Sequence, residues 1–372
     1  MMFFSRSAPA LLIMLWLCRA GTALGAEAAG TAVDGAGPTP DTPVKVTVGA
    51  FAAPGSPWDK QWKHFKQQAE GRSGGALAVK LLTKGEAGGE ATTMTYIRRN
   101  RMQFGGFTLA GVASVVPELD ILLTPFFFAD RQELDFVMDE YLLDTFQDLF
   151  AEKNLVLAYW VEVGWLHMYG KSPVLQPADM TGRRMRVQAS RAAQVLAGSL
   201  GAEMLQMEFA DLIPSLQTGL VFGGETNAVL YSLTGLANEA PHMTLTRHTY
   251  DTGVIVGNKT WLDGLPSDLR DILLTAFPPS DQARAQVRAM AKALLAKLAG
   301  QGITLHELSD EERAVWQRVT SNNYRTLIDQ IGGRAQDIYD RMVEGRAHWR
   351  HMQAAAATGA IPATARTGTE GR

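Results

Sequence analysis

The most constraining feature of the sequence is a strand, helix and strand in succession near the start of its apolar part. Apolar residues alternate over 44–48, recur with helical spacing over 58–69, and alternate again over 77–81. A helix that joins two strands in this way crosses the sheet and leaves the strands parallel. The pattern therefore predicts an α/β fold in which helices cover a largely parallel sheet.

Further elements of both kinds follow along the chain. The same two periodicities predict strands over 103–109, 155–163, 184–187 and 252–256, and helices over 90–100, 131–153, 190–200, 209–218 and 228–238. The longest helix signal begins at Ser280, an N-cap residue after two prolines, and ends before Gly300. About 20 residues at roughly 1.5 Å each span about 30 Å, so this helix is long enough to lie across two lobes.

The start of the chain has the composition of an export signal. Arg6 precedes an apolar run over 8–18 and small residues follow, so residues 1–25 are predicted to be a secretory signal peptide. The run is too short to span a bilayer. Two alternatives are a buried N-terminal helix and a lipidated Cys18, although Leu17 stands where lipoprotein signals have a small residue. We expect the mature chain to be exported and soluble.

Residues 26–43 and 354–372 consist mainly of small residues, and are predicted to be a flexible leader and a flexible tail. Residues 44–353 remain for the folded part. In a chain of 372 residues that length is more than one ordinary domain needs, and it favours two lobes.

Composition excludes several classes of function. Cys18 is the single cysteine and lies in the predicted signal, so the mature chain has no thiol for a disulfide, a nucleophile or a metal. The 35 basic and 38 acidic residues give a net charge of −3, which provides no basic excess for nucleic acid. An anion would have to be bound by a local group.

No common catalytic, nucleotide or metal motif is present. The sequence lacks both glycine-rich nucleotide loops and the His-Glu-x-x-His pattern, and its seven histidines have no metal-ligand spacing. Residues 71–75 match Gly-x-Ser-x-Gly, but a helix precedes them and a strand follows, the reverse of a nucleophile elbow. We therefore predict no catalytic residue, no metal and no cofactor, and favour a binding protein over an enzyme.

Several segments, taken together and in order, resemble the DctP family, the periplasmic substrate-binding proteins of tripartite ATP-independent periplasmic (TRAP) transporters. They are spread over about 44–350, and the main ones are Gly88-Gly89-Glu90, 123–128, 179–187, 202–204, 216–219 and 261–266. The resemblance implies a two-lobed solute-binding fold, with a ligand cleft between the lobes and a long helix shared by both. It implies a lobe I of 44–163 and 253–290, and a lobe II of 164–252 and 291–350.

The resemblance also implies a function. Members of the family capture a small organic carboxylate in the periplasm by hinge closure and deliver it to the membrane subunits of a TRAP permease. The permease distinguishes loaded from empty protein because the ligand contacts both lobes and so favours the closed form.

Arg186 matches the carboxylate-binding arginine of the family. A guanidinium presents a planar fork of donors that fits a carboxylate at both oxygens, whereas a lysine presents only a point charge. The structural alternative is an exposed or salt-bridged arginine. We predict that Arg186 is the principal anion anchor.

Other candidate ligand residues each have a structural alternative. Phe209 matches an aromatic wall of the family's cleft, or packs in the core. Glu90 could hold a ligand hydroxyl or ammonium, or stabilise the dipole of the helix it begins. Trp165 and His167 alternate onto one face where the chain enters the second lobe, and either line the cleft or pack inside.

The sequence departs from the family at two places. Phe222 stands where an Asp is common, and Thr226 where an Asn is common, with Asn227 one residue late, so either Thr226 or Asn227 supplies the polar contact. Leu166 occupies about the position of an extra arginine found in sugar-acid binders. These departures favour a monocarboxylate with an apolar body, lying against Trp165, Phe209 and Phe222.

Two rival functions remain at this stage. A secreted enzyme acting on small organic acids would use Glu90 or Glu225 with His167, and would turn its ligand over. A sensory or structural protein would keep the same fold and signal to another partner.

Overall fold

The computed structural model describes residues 42–298 and 301–357. The predicted signal peptide, Cys18 and all but the last two residues of the predicted leader lie outside the described residues, as does most of the predicted tail. Within the described ranges, no helix has both the length and the apolar character needed to cross a bilayer.

The described strands are β1 (Val44–Gly49), β2 (Leu77–Leu82), β3 (Phe104–Thr108), β4 (Leu155–Gly170), β5 (Arg184–Val187), β6 (Glu203–Gln206), β7 (Gly223–Asn227), β8 (His242–Asn258) and β9 (Thr304–His306). The described α-helices are α1 (Pro57–Arg72), α2 (Glu90–Arg98), α3 (Leu109–Val112), α4 (Arg131–Val137), α5 (Leu143–Glu152), α6 (Arg191–Ser199), α7 (Leu212–Gln217), α8 (Ala228–Leu233), α9 (Leu236–Glu239), α10 (Lys259–Asp263), α11 (Ser267–Leu274), α12 (Ser280–Leu298), α13 (Asp310–Thr320), α14 (Asn323–Ile331) and α15 (Ala335–Ala357). Short 3₁₀-helices span Pro117–Leu123, Pro177–Met180 and Phe209–Asp211, and a π-helical turn spans Met138–Leu142.

One mixed sheet runs through the molecule, in the order β2-β1-β3-β8-β4-β7-β5-β6, with β9 added to β8. The two central strands, β4 and β8, are long and antiparallel, and each passes from one lobe into the other. Lobe I contains the parallel strands β1, β2 and β3, while lobe II contains the parallel strands β5, β6 and β7. The predicted two-lobed α/β architecture is confirmed.

Each lobe has apolar clusters that cover its part of the sheet. In lobe I, one cluster is built on Trp62 and Phe65 of α1 and another on Phe107, Phe146 and neighbouring side chains. In lobe II, one cluster contains Met168, Leu196 and Trp316, and the other contains Tyr169, Leu216 and Tyr231. The lobe I clusters explain why β1 and β2 are rich in apolar residues.

The long helix α12 is shared by the lobes, as expected. It runs from Ser280 to Leu298, close to the predicted ends. Val287 packs in a lobe I cluster, whereas Leu298 packs in a lobe II cluster. One rigid element therefore contacts both halves.

Several predicted element boundaries were wrong. The strand predicted over 155–163 extends to Gly170, and the one predicted over 252–256 begins at His242. Their missing halves contain buried polar residues that interrupt the apolar pattern, including Thr244, Thr246 and Asp251. Helix α15 continues to Ala357, so the predicted flexible tail does not begin at 354.

Candidate functional site

The topology brings the carboxyl ends of strands from both lobes to the middle of β4 and β8. Thr108 ends β3 opposite Gly253, and Asn227 ends β7 opposite Leu166. Between these two points Gly164 pairs with Asp251. Ligands in open α/β sheets bind outside the carboxyl ends of strands, so this region is the candidate ligand cleft.

Arg186 lies on β5 near the end of that strand, and its side chain is buried. It is 7% exposed, and its Nε donates to the backbone oxygen of Met207 over 3.3 Å. Its guanidinium carbon lies 5.9 Å from the centre of the Phe209 ring. No carboxylate among the described residues forms an ion pair with it. A buried guanidinium is normally paired, so its terminal nitrogens are suited to a ligand anion.

Glu90 is the first residue of α2, and its carboxylate is held by lobe I. Its oxygens accept from the backbone nitrogen of Thr108 over 2.6 Å and from the Thr108 hydroxyl over 2.9 Å. Burial, with a smaller contribution from nearby Glu208, raises the pKa of Glu90 to about 7, while the Thr108 bonds and the charge of Arg186 act against this rise. A side chain at Gly111 would occupy the space of this carboxylate. Glu90 therefore ties α2 to the end of β3, beside Arg186.

The lobes meet across the cleft. The rings of Phe51 from lobe I and Phe209 from lobe II lie 5.5 Å apart. The Glu208 carboxylate approaches the backbone of Gly89 so closely that a methyl group there would clash with it. These contacts place aromatic and acidic side chains around the entrance to Arg186.

Asn227 and Thr226 have different surroundings at the end of β7. The Asn227 side-chain oxygen accepts from the backbone nitrogens of Val229 and Leu230, each over 3.0 Å, and so caps α8. The described residues supply no acceptor for its amide nitrogen. Thr226 pairs in register with His167 on the neighbouring strand.

Trp165 and His167 also differ in their surroundings. Trp165 is half-buried and packs edge-on against Tyr250, with ring centres 4.7 Å apart, beside the Gly164–Asp251 pair. His167 is 3% exposed, and its Nδ1 accepts from the backbone nitrogen of Arg247 over 3.3 Å. Burial, with nearby His248 and Arg247, holds the pKa of His167 well below its usual range. His167 therefore supports a bulge of β8 inside lobe II.

Phe222 lies at the far end of β7 from Asn227. Its ring packs in the lobe II cluster with Met168 and Trp316, and the Arg183 guanidinium lies 4.7 Å from its centre. Its ring therefore packs inside lobe II, at the end of β7 away from the cleft, and does not support the apolar ligand body inferred from Phe222.

Two features of the cleft floor were missed from the sequence. Glu225 Oε2 lies 2.7 Å from His248 Nε2, and His248 Nδ1 lies 2.8 Å from the Thr246 hydroxyl. Asp251 is 3% exposed, and its Oδ1 has no hydrogen-bond partner in the part of the chain that the structure describes. Burial raises the pKa of Asp251 well above its usual range, and the charges of Glu225 and Glu90 raise it further. The one sequence signal was a polar stretch, 249–252, that interrupts an apolar strand.

Among residues 42–298 and 301–357, no three histidine, cysteine, aspartate or glutamate side chains come together as a metal site would require. The absence of a metal or cofactor stays a prediction.

The fold and the cleft define a two-lobed solute-binding protein. The chain belongs to the family of bacterial extracellular solute-binding proteins, family 7 (DctP), whose model matches residues 48–330. It is 28% identical over 295 residues to the C4-dicarboxylate-binding periplasmic protein DctP of Rhodobacter capsulatus, covering 78% of this chain and 88% of that protein.

Solved structures of similar fold carry different bound acids. A TRAP periplasmic solute-binding protein from Roseobacter denitrificans with bound β-D-glucuronate has a TM-score of 0.76 and 22% identity, covering 82% of this chain and 99% of that chain. The sugar acid binding protein DctPAm from Advenella mimigardefordensis, in complex with galactonate, has a TM-score of 0.76 and 23% identity over the same shares.

Proposed function

We propose that this protein captures a small organic carboxylate in the periplasm, with Arg186 as its anion anchor, and delivers it to a TRAP permease. The observation that carries the proposal is the buried guanidinium of Arg186, which has no carboxylate partner among the described residues. Keeping an unpaired charge buried destabilises a fold, and a ligand carboxylate would relieve that penalty.

Further contacts would come from both lobes. The amide nitrogen of Asn227, which has no acceptor among the described residues, lies on lobe II, whereas Glu90 and Phe51 lie on lobe I. The rest of the cleft lining would come from Trp165, Thr226 and Phe209. His167 would support this lining from inside lobe II. A ligand that bridges the lobes favours the closed form, which the permease subunits would recognise.

The lobes would move at their shared strands. We propose the boundaries 44–163 with 253–290 for lobe I, and 164–252 with 291–350 for lobe II. The register of β4 against β8 shifts between Glu162 and Gly164, and Gly164 has a φ of 106°, a conformation that suits glycine. An irregular pair of strands is a natural place for bending.

The proposal is for a carrier and not an enzyme. The rival enzyme would pair Glu90 or Glu225 with His167. Glu225 is instead bonded to His248, whose other ring nitrogen faces the fully buried Thr246 hydroxyl, and Glu90 is bonded to Thr108. A ligand recovered unchanged from the protein, as judged by mass spectrometry, is the expected result.

A thermal-shift screen against small organic acids tests the proposal. A ligand at about a hundredfold excess over its Kd adds about 2.7 kcal/mol to the stability of the native state, which raises the melting temperature measurably. We expect at least one acid to stabilise the protein and the Arg184→Ala variant, but not Arg186→Ala. Arg184 is the matched control because it lies exposed on the same strand.

Two outcomes would overturn the proposal. One is that no acid raises the melting temperature. The other is that the shift survives in Arg186→Ala, with that variant shown to be folded by circular dichroism.

A further inference from the structure

The floor of the cleft holds a carboxyl group that the fold leaves unsatisfied. Asp251 sits on β8 between the end of β3, where Thr108 faces Gly253, and the end of β7, where Asn227 faces Leu166. It is 3% exposed, and no group in residues 42–298 or 301–357 forms a hydrogen bond with its Oδ1. Buried polar atoms are nearly always hydrogen-bonded, so an unpaired oxygen at this place indicates a missing donor.

Asp251 lines a small cavity with other polar groups. The cavity has a volume of about 10 Å³, and its polar lining comes from Gln188, Ser190, Glu225, Thr249 and Asp251. That volume is about the room one water-sized group needs. A single ammonium or hydroxyl group has this size, whereas a carboxylate with three heavy atoms is larger.

The charge around the cavity is negative. Glu225 and Asp251 both line it, and only Glu225 has a basic partner, the His248 imidazole at 2.7 Å. The electrostatic effect of Glu90 also reaches Asp251. A second ligand carboxylate placed here would meet like charges in a region of low dielectric, which is strongly unfavourable. A hydrogen-bond donor would meet the unpaired oxygen.

The cavity lies within reach of the anion anchor. Gln188 lines the cavity and follows Arg186 by two residues along an extended segment. The Cα atoms of the two residues are therefore about 7 Å apart. Gln188 also faces lobe I, where its side-chain oxygen lies 3.5 Å from the Thr108 hydroxyl. A short, unbranched ligand is therefore long enough to contact Arg186 with one end and the cavity with the other.

We infer that the ligand carries a hydrogen-bond donor at the end opposite its carboxylate, and that Asp251 receives this donor. The inference rests on the proposed function and deepens it. Arg186 would bind the carboxylate, and Asp251 would set specificity by favouring ω-amino or ω-hydroxy acids over dicarboxylates of the same length.

A series of acids that differ only in the terminal group tests the inference. The probes are 4-aminobutyrate, 4-hydroxybutyrate and succinate, with 5-aminovalerate and glutarate as a longer pair, titrated by calorimetry at about pH 8. We expect a donor-bearing acid to bind about tenfold or more tightly than its matched dicarboxylate, because like charges disfavour the latter.

The Asp251→Asn variant then identifies the residue responsible. It keeps the shape of the side chain and replaces an acid with a neutral amide, so we expect the preference over dicarboxylates to fall by about tenfold. A larger loss of affinity for the amino acid than for the hydroxy acid would assign the donor as an ammonium group. Asp120→Asn is the matched control, since Asp120 is also buried with an unpaired Oδ1 but does not line the cavity.

Dicarboxylates that bind the unmodified protein as tightly as the donor-bearing acids would overturn the inference. So would an unchanged preference in Asp251→Asn, which would mean that the cavity holds only water. In both cases the proposed function would stand if binding still depended on Arg186. If Asp251→Asn fails to fold, the inference is tested by the preference of the unmodified protein for donor-bearing acids over dicarboxylates.

Discussion

Phe51 and Phe209 face each other from opposite lobes, with ring centres 5.5 Å apart and ring planes inclined by 48°. Phe51 remains 46% exposed with this contact in place. The Arg186 guanidinium lies on the other side of Phe209, 5.9 Å from the ring centre. Because separation of the lobes breaks the aromatic contact, this pair links closure to the anion anchor.

Removing the Phe51 ring should weaken ligand binding without touching Arg186. An aromatic pair contributes about 0.5–1.5 kcal/mol, so Phe51→Ala should raise the Kd by roughly twofold to tenfold. Phe209→Ala should have a larger effect, because it also removes the contact with the guanidinium. Isothermal titration with any acid found in the screen measures both. Met204→Ala, at an exposed residue of β6, is the control, and an equal effect there would contradict the role of the aromatic pair.

Arg288 should be important for stability because it pairs with a deeply buried acid. Its Nη2 lies 2.9 Å from Glu162 Oε2 and 2.7 Å from Asp135 Oδ2, and the Glu162 side chain is 2% exposed. Arg288→Ala would leave Glu162 buried with only the Tyr250 hydroxyl as a donor, and should lower the free energy of unfolding by about 3–5 kcal/mol.

Denaturant unfolding tests this expectation with two comparisons. Adding Glu162→Gln to an Arg288→Met variant should recover part of the loss, because no buried charge is then left unpaired. Arg341→Ala breaks an exposed pair with Asp337 and should change stability by less than about 1 kcal/mol. Similar losses from Arg288→Ala and Arg341→Ala would show that burial does not matter here.

Asp120 should make the protein less stable as pH rises from about 4 to about 7. Its Oδ2 accepts from the backbone nitrogen of Arg191 over 2.7 Å, and burial raises its pKa from 3.8 to about 6. The folded state therefore holds the proton more tightly than the unfolded state. The resulting stabilisation is present below about pH 4 and is lost as pH rises through 6, with an upper limit of about 3 kcal/mol.

Urea unfolding measured across this pH range tests the Asp120 prediction. Asp120→Asn keeps an oxygen for the Arg191 bond and should reduce the pH dependence, leaving the part that comes from Glu90, whose pKa is raised to about 7. Asp148→Asn, at an exposed position on α5, should leave it unchanged. If the Asp120→Asn variant shows the same pH dependence as the unmodified protein, another group is responsible.

Ser309 should stabilise α13 through a reciprocal cap. Its hydroxyl accepts from the Glu312 backbone nitrogen over 3.2 Å, and the Glu312 carboxylate accepts from the Ser309 nitrogen over 2.8 Å. Ser309→Ala should lower the free energy of unfolding by about 1 kcal/mol. Ser309→Asp should keep most of the stabilisation, because aspartate also accepts a hydrogen bond at the N-cap. Thermal unfolding compares the two, and equal melting temperatures would argue against the cap.

The sequence predicted the elements whose side chains follow one simple period. The strands of lobe I and helix α12 were found because their buried residues are almost all apolar. The central strands were found only in part, since Thr246 and His248 are buried polar residues of β8 with hydrogen bonds supplied by other segments. Hydrophobic periodicity does not identify a buried polar residue whose hydrogen-bond partner is distant in sequence.

The candidate site also contains residues that the sequence predicted and residues that it did not. Arg186 was proposed from a resemblance and from the chemistry of a guanidinium, and the structure shows it buried and without an ion pair among the described residues. Asp251 and the Glu225–His248 pair depend on the register of β8 against β4 and β7, which no local pattern in the sequence encodes. Phe222 was predicted to line the cleft with Asn227, but the two residues lie at opposite ends of β7.

The paths of β4 and β8 also constrain the order in which this chain can fold. Gly105 of β3 pairs with Val256, and Gly170 of β4 pairs with His242, so both lobes are joined along their centre by the same late segment. A chain that stops before β8 lacks the central partner strand of either half. Contacts so distant in sequence slow folding, since long loops must close before they form. Neither lobe can therefore be completed by an emerging chain until most of it has been released.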